Sequence, residues 1–441
     1  MSKQKKCLKP ALRFPEFQDQ TSWIRFKLID VADKNVKWSF IGGPFGSNLK
    51  SSDYIEQGVR IIQLQNIGDG QFNDDYKVFT SKEKADELLA NNIYSGDIIL
   101  SKMGDPVGRA CIIPETDRRY VMCSDGIRLV VDEERHSKYF IYSLINGSQF
   151  RSVVESTATG STRKRIGLAE LKKLPIFLPV KQEQQKIADC LSSMDDLIAK
   201  SIKKLESLKS HKKGLMQKLF PEEGENKPDF RFPEFSMEAN WKKEKLHKVV
   251  DLLSGYAFKS EYFSTTGKKM VTPKNFTKNG FSSFSEDNTK YTSEEFNERY
   301  ICREGDLLLL LTDLTPSCEL LGRPMLLTSS DGEVLLNQRI AKVIINGNIN
   351  KNFLKYFFLS NGFRKRIINT ATGSTVRHTS NKIVLSTELL LPNLSEQNKI
   401  AACLLSIDGL IRAQADKIET LKEYKKGLMQ QLFPEMKESI A

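Results

Sequence analysis

Thr157 to Thr162 reads TATGST, and Thr370 to Thr375 reads TATGST again, 213 residues later. The same offset relates EQQKIADCL (Glu183 to Leu191) to EQNKIAACL (Glu396 to Leu404), and KKGLMQKLFPE (Lys212 to Glu222) to KKGLMQQLFPE (Lys425 to Glu435). Near the start of each copy RFPEF runs from Arg13 to Phe17 and from Arg231 to Phe235, with Trp23 and Trp241 following at a common offset of 218. A repeat this long is a duplication of whole domains, since stacked solenoid units repeat every ~20 to 50 residues. Each copy therefore runs from a variable module through TATGST and a short apolar piece into a long helix ending on Leu-Phe-Pro.

The helices follow from spacing. Apolar side chains fall at Ile187, Leu191, Met194, Ile198, Ile202, Leu205, Leu208, Leu215 and Leu219, and at Ile400, Leu404, Ile407, Ile411, Ile418, Leu421, Leu428 and Leu432. Steps of three and four place each set on one helical stripe. Pro179 and Pro392 precede the helices, Pro221 and Pro434 close them, and no proline interrupts. Such a stripe must be covered, and the matching stripe of the other copy covers it if the halves pack about a pseudo-two-fold axis, which makes the pair an antiparallel coiled coil. The expected divisions are a first module over 1–180, a first spacer helix over 181–222, a second module over 223–393, and a second helix with a C-terminal tail over 394–441.

Composition bounds the function. Hydrophobic residues make up 39% and charged residues 28% of the 441, as in a folded globular chain. A net charge of +12 favours a polyanionic partner. No apolar run approaches the ~20 residues of a membrane helix and no apolar signal core follows Met1, which predicts a cytoplasmic protein. Seven cysteines without a Cys-x-x-Cys pair and four scattered histidines suggest neither a metal site nor a disulfide framework, and Cys190 and Cys403 read as small core residues. Phosphate-binding and dinucleotide-binding glycine loops are absent, as is the Asn-Pro-Pro-aromatic motif of amino-methyltransferases. Asp75-Tyr76-Lys77 and Glu423-Tyr424-Lys425 match only the tail of a nuclease pattern, so the chain is expected to be no enzyme.

The modules read as α+β, with short strands such as Gly58 to Leu64, Asp97 to Ser101, Gly126 to Val131, Asp306 to Leu311 and Arg339 to Ile345, followed by short helices. Polar and basic side chains at turns are the candidate DNA contacts. Ser161, Thr162, Arg163 and Lys164 in the first copy, and Ser374, Thr375, Arg377 and His378 in the second, offer hydroxyls, turn N–H groups and cations to a phosphate. The same side chains could instead contact another partner shared by both copies, and the bland reading is a solvated turn capping the strand that follows. Segments Gly46–Ser51 and Gly255–Ser260 occupy corresponding places and supply Asn48, Lys50, Ser51, Lys259 and Ser260. Gln63, Gln65 and Asn66 correspond to Thr272, Lys274 and Asn275, and Ser124 with Arg128 to Asn337, Gln338 and Arg339. Lys102 follows Gly96-Asp97-Ile98-Ile99-Leu100-Ser101. Gln, Asn, Arg and Lys are the side chains that read base edges.

The two TATGST turns, the EQ-x-KIA-x-CL helix starts, the KKGLMQ-x-LFPE helix ends, the RFPEF openings and the GYAFKS and GDIILSK segments together make the chain resemble the specificity subunit of Type I restriction-modification systems. That resemblance covers essentially the whole chain. It implies an α+β fold with two tandem α/β target recognition domains, separated by two long antiparallel coiled-coil helices. Each domain would read one half of a split, asymmetric site on double-stranded DNA, and the helices would space the halves and dock two methyltransferase subunits. Endonuclease and translocase subunits would join them. The subunit itself would be non-catalytic and hold no cofactor, with S-adenosylmethionine, ATP and Mg on the partner subunits. Two rivals are a coiled-coil scaffold that does not touch DNA and a single-chain restriction enzyme with an unrecognised catalytic centre.

Overall fold

The computed structural model describes residues 8–221, 225–313, 317–374 and 376–436. The chain divides into two compact units. Unit 1 comprises residues up to Ile202 and from Lys417 onward, and unit 2 comprises Lys203–Asp416. The first long helix, Lys181–Leu219, and the second, Leu394–Leu432, are therefore each shared between both units. None of the helices in the described residues is long and apolar enough to cross a membrane.

Each unit is built on a strand buried on both faces. In unit 1 Ile98–Ser101 lies between Gly126–Leu129 and Ala110–Ile112, with Phe40–Gly42 at the edge. Side chains alternate along a strand, so Ile98 and Leu100 enter the main core while Ile99 enters a second one under the Val78–Thr80, Val59–Ile62, Arg119–Met122, Asn92–Tyr94 sheet. Unit 2 repeats the device. There Leu307 and Leu309 face one core and Leu308 and Leu310 the other, which explains an apolar run without polar alternation. The mixed sheet and helix architecture is the one the sequence implied.

The long helices hold the units from within. In unit 1 Ile187 and Leu191 of the first helix share a core with Leu428, Met429 and Leu432 of the second, and Asp195 pairs with Lys425 at 2.5 Å. In unit 2 Ile400 and Leu404 of the second helix meet Leu215, Met216 and Leu219 of the first, and Lys212 pairs with Asp408 at 2.6 Å. The contacts are the same ones with the helices exchanged, and the start of each helix meets the end of the other, so the helices run antiparallel. Ile202 departs from the expected stripe: it is 43% exposed, and Ser201 is buried in its place. The seam steps 194, 198, 201, 205, 208, which keeps the alternating four-and-three spacing of a coiled coil.

The repeated motifs at the module openings clamp the helix starts. Arg13 donates to both carboxylate oxygens of Glu183, at 2.8 and 2.7 Å, and Arg231 does the same to Glu396. Glu16 pairs with Lys186 and Glu234 with Lys399, so RFPEF and EQ-x-K lock together twice over. In unit 1 the Leu-Phe-Pro end of the second helix inserts Phe433 against Trp23 and Phe140, with ring centroids 6.2 and 5.3 Å away. In unit 2 the first helix inserts Phe220 against Phe353, which also meets Trp241. Cys190 and Cys403 are half-buried on these helices, a more exposed setting than the core place expected of them.

Candidate nucleic-acid interface

The TATGST turns form closed loops. Thr159 N–H donates to Arg165 O at 2.9 Å and Arg165 N–H to Thr159 O at 2.8 Å; Thr372 and His378 exchange the same bonds at 3.0 and 2.9 Å. Glycine is required inside. Gly160 has φ +104° and Gly373 φ +93°, and a Cβ would stand 2.7 Å from Arg163 O or 2.1 Å from Val376 O. Ser161, Thr162, Arg163 and Lys164 are exposed at the first loop, where Lys164 pairs with Glu155 and Arg165 with Asp125 at 2.7 Å. In the second loop Ser374 is exposed, Arg377 is half-buried, and His378 Nδ1 lies 3.0 Å from Thr312 Oγ1. Thr375 falls outside the described residues.

A second turn carries the polar triplets. Asn66 accepts the Gln63 N–H at 2.9 Å and Asn275 the Thr272 N–H at 2.7 Å. The Asn66 amide also donates to Asn73 O and Tyr76 O. Asn66 and Asn275 have no exposed surface, and Thr272 is buried on Asn275. These three were expected to contact DNA, but their polar atoms are engaged in shaping the turn. What the turn presents is Gln65 and Lys274, both exposed, while Gln63 is half-buried and donates to the Tyr54 hydroxyl at 2.8 Å.

Arg128 also turns inward. It is 5% exposed and donates to Asp97 Oδ2 at 2.7 Å. Burial holds the Asp97 carboxyl above its ordinary range despite the guanidinium beside it. Its counterpart is not Arg339 but Lys342, which pairs with Asp306 at 2.6 Å. The strand register makes Gly126 equivalent to Ile340, because their carbonyls accept from Gly43 and Gly255. Ser124 therefore corresponds to Gln338, and Asp125 to Arg339. Gly43, and not Gly46, corresponds to Gly255: a Cβ on either would collide with a backbone carbonyl, Cys123 O at 1.7 Å or Asn337 O at 2.1 Å. Lys50 and Ser51 still match Lys259 and Ser260, since each pair opens a short 3-10 turn. The unit 1 loop is thus three residues longer.

In unit 1 these pieces converge. A cleft of about 700 Å³ is lined by Gln65, by Met103 to Asp105, and by Ser161 to Lys164. Lys102 adjoins it, half-buried, with its N–H on Asp125 O. Arg109, which the sequence reading passed over, forms the floor: its guanidinium donates to Leu64 O at 3.1 Å and to Ile67 O, fixing the turn that carries Gln65. The echo of Gly108-Arg109 in Gly322-Arg323 is the signal that marks it. Asn48, Lys50 and Ser51 are exposed on the neighbouring loop, while Ser124 is half-buried. In unit 2 Lys259, Ser260 and Gln338 are exposed, and Asn337 and Arg339 half-buried. Among the described residues no cluster of His, Cys, Asp or Glu could hold a metal ion.

Residues 51–209 and 238–423 each match the Type I restriction modification DNA specificity domain. The chain is 29% identical, over 87% of its length and 84% of the other's, to the specificity subunit of the Type I restriction enzyme MjaVIII of Methanocaldococcus jannaschii. Its backbone is similar to the S subunit of a Type I restriction-modification system from M. genitalium, with a TM-score of 0.54 and 16% identity over 97% of this chain and 100% of that one. A chain from a study of complex assembly and conformational transition in the type I R-M system gives a TM-score of 0.54 at 15% identity, over 93% of this chain and 97% of that one. With both halves matched and the doubled architecture in place, the chain belongs to the family of Type I restriction-modification DNA specificity subunits.

Proposed function

We propose that unit 1 and unit 2 each read one half of a bipartite, asymmetric site on double-stranded DNA, and that the long helices set the gap between the halves. The observation that carries this reading is the unit 1 cleft, in which an amide able to read a base edge, Gln65, shares one groove with the cationic, hydroxyl-rich loop Ser161–Lys164. Equivalent places hold different chemistry in unit 2. Gln65 becomes Lys274, Ser124 becomes Gln338 and Asp125 becomes Arg339, as two readers of different sequences require. The subunit is the non-catalytic, specifying part of its assembly. Two methyltransferase subunits bearing S-adenosylmethionine dock on the helices, where Leu197 and Leu410 stand exposed at equivalent positions. Endonuclease and translocase subunits using ATP and Mg complete the complex, which works in the cytoplasm.

The test is the double variant Arg163→Ala/Lys164→Ala in the assembled methyltransferase complex. Binding should weaken alike on all sequences, and the slope of log affinity against log salt should become shallower by about one to two. A changed base preference at constant slope would assign the loop to base reading, and unchanged binding would remove it from the interface.

A further inference from the structure

Phe45, 82% exposed, is the most solvent-exposed aromatic side chain among the described residues. It stands on the longer loop of unit 1, whose root is pressed flat against the Cys123–Ser124 turn by the bond from Gly43 N–H to Gly126 O at 2.7 Å. The loop is built to present it. Pro44 and Leu49 are buried on either side, and Asn48 N–H donates to Phe45 O at 2.8 Å. Its neighbours Gly46, Ser47, Asn48 and Lys50 are all exposed and carry no apolar side chain. An aromatic anchor of a protein interface sits at the centre of an apolar patch. A lone ring among hydroxyl, amide and ammonium groups, on a loop rooted at the Cys123–Ser124 turn, fits the flat apolar faces of stacked bases.

Among the described residues, unit 2 has no such ring. Its shorter loop carries Tyr256, which leans on Phe258 and Tyr300 at 4.9 and 5.5 Å between centroids and donates its hydroxyl to Glu294 at 3.3 Å. We propose that Phe45 enters the DNA as an apolar wedge at one base step of the half-site read by unit 1, unstacking that step. The proposal rests on the DNA-reading function argued above. Inserted apolar side chains of this kind part a base step and bend the duplex.

The experiment uses the assembled methyltransferase–specificity complex and duplexes carrying 2-aminopurine, which brightens on unstacking, at successive steps of both half-sites. Apart from the signal at any base that a methyltransferase subunit flips out, which Phe45 does not control, fluorescence should rise at one further step of the unit 1 half-site and at no further step in the other. Phe45→Ala, which removes a side chain already in water, should abolish the rise and weaken binding about tenfold, and Phe45→Trp should restore both. If Phe45→Ala keeps the rise and the affinity while Arg163→Ala/Lys164→Ala still weakens binding, the wedge is wrong and the DNA reading stands. If neither variant changes binding, the wedge falls and the Ser161–Lys164 loop leaves the interface as well. If Phe45→Ala instead prevents the methyltransferase subunits from joining, Phe45 is a protein contact and the wedge is overturned.

Discussion

Lys355 has no exposed side-chain surface, and its ammonium lies 3.7 Å from the centroid of the Phe281 ring and 3.8 Å from Asp408. Burial brings its pKa down to about 8, assisted by Lys212 and Arg412 and opposed by Asp408, whose carboxylate also accepts from the Tyr356 hydroxyl. In the unfolded chain the group titrates near 10.5. Between those values the unfolded state binds more protons, so stability rises with pH from about 8 to 10.5 and the burden is full below 8. Lys355→Met is therefore expected to raise the melting temperature of unit 2 at pH 7, reflecting a gain in stability on the order of 1–3 kcal/mol. That advantage should shrink as pH passes from 8 to 10. A constant difference across thermal scans would show that Lys355 titrates as in water. The same in-or-out question decided which site residues were legible. Arg163 and Gln65 stand exposed, but Asn66, Asn275, Thr272 and Arg128 turn inward, because a sequence gives a side chain's chemistry without saying whether its partner is a base or its own backbone.

The helices were the most legible elements, since 39 residues of three-and-four spacing permit little else. The exception, Ser201 in place of Ile202, arises because a coiled-coil seam advances every 3.5 residues and selects positions by phase before polarity. The loop alignment failed for a related reason: three extra residues shift a short Gly-containing segment without leaving a mark, and only the bonds to Gly126 and Ile340 restore the register. Because Asp195–Lys425 and Lys212–Asp408 pin the helices inside separate units, the stretch between the pins can be lengthened without disturbing either. Four residues inserted after Ile202 and four after Asp416 add about 6 Å. Methylome sequencing should then find the same half-sites with the gap widened by about two base pairs at ~3.4 Å each. An unmoved gap in a normally assembled complex would mean that the helices do not measure it.

At the scale of the whole chain the duplication was legible from offsets alone, yet similarity cannot say which copy's helix end closes which core. Unit 1 is assembled from two separate stretches of chain: Leu12 N–H donates to Gln431 O at 2.9 Å, and Leu432, Phe433 and Met436 sit in the core with Trp23 and Phe140. Unit 2, by contrast, is a single continuous stretch. Synthesis and folding are therefore expected to run in opposite orders. The half made first would then wait with an open core while Lys203–Asp416 is translated, roughly 10 to 40 s at about 5 to 20 residues per second. On ribosomes stalled with residue 416 just emerged, unit 2 should resist brief proteolysis while residues 8–202 are still cut, and resistance of unit 1 should appear only once residues 417–436 have emerged too. Early protection of unit 1 would show that it folds without its last helix turns. On that order the second reader is finished while the first still lacks Leu428, Leu432 and Phe433, so a ribosome that halts before those residues leaves the half made earliest without the plug that completes it.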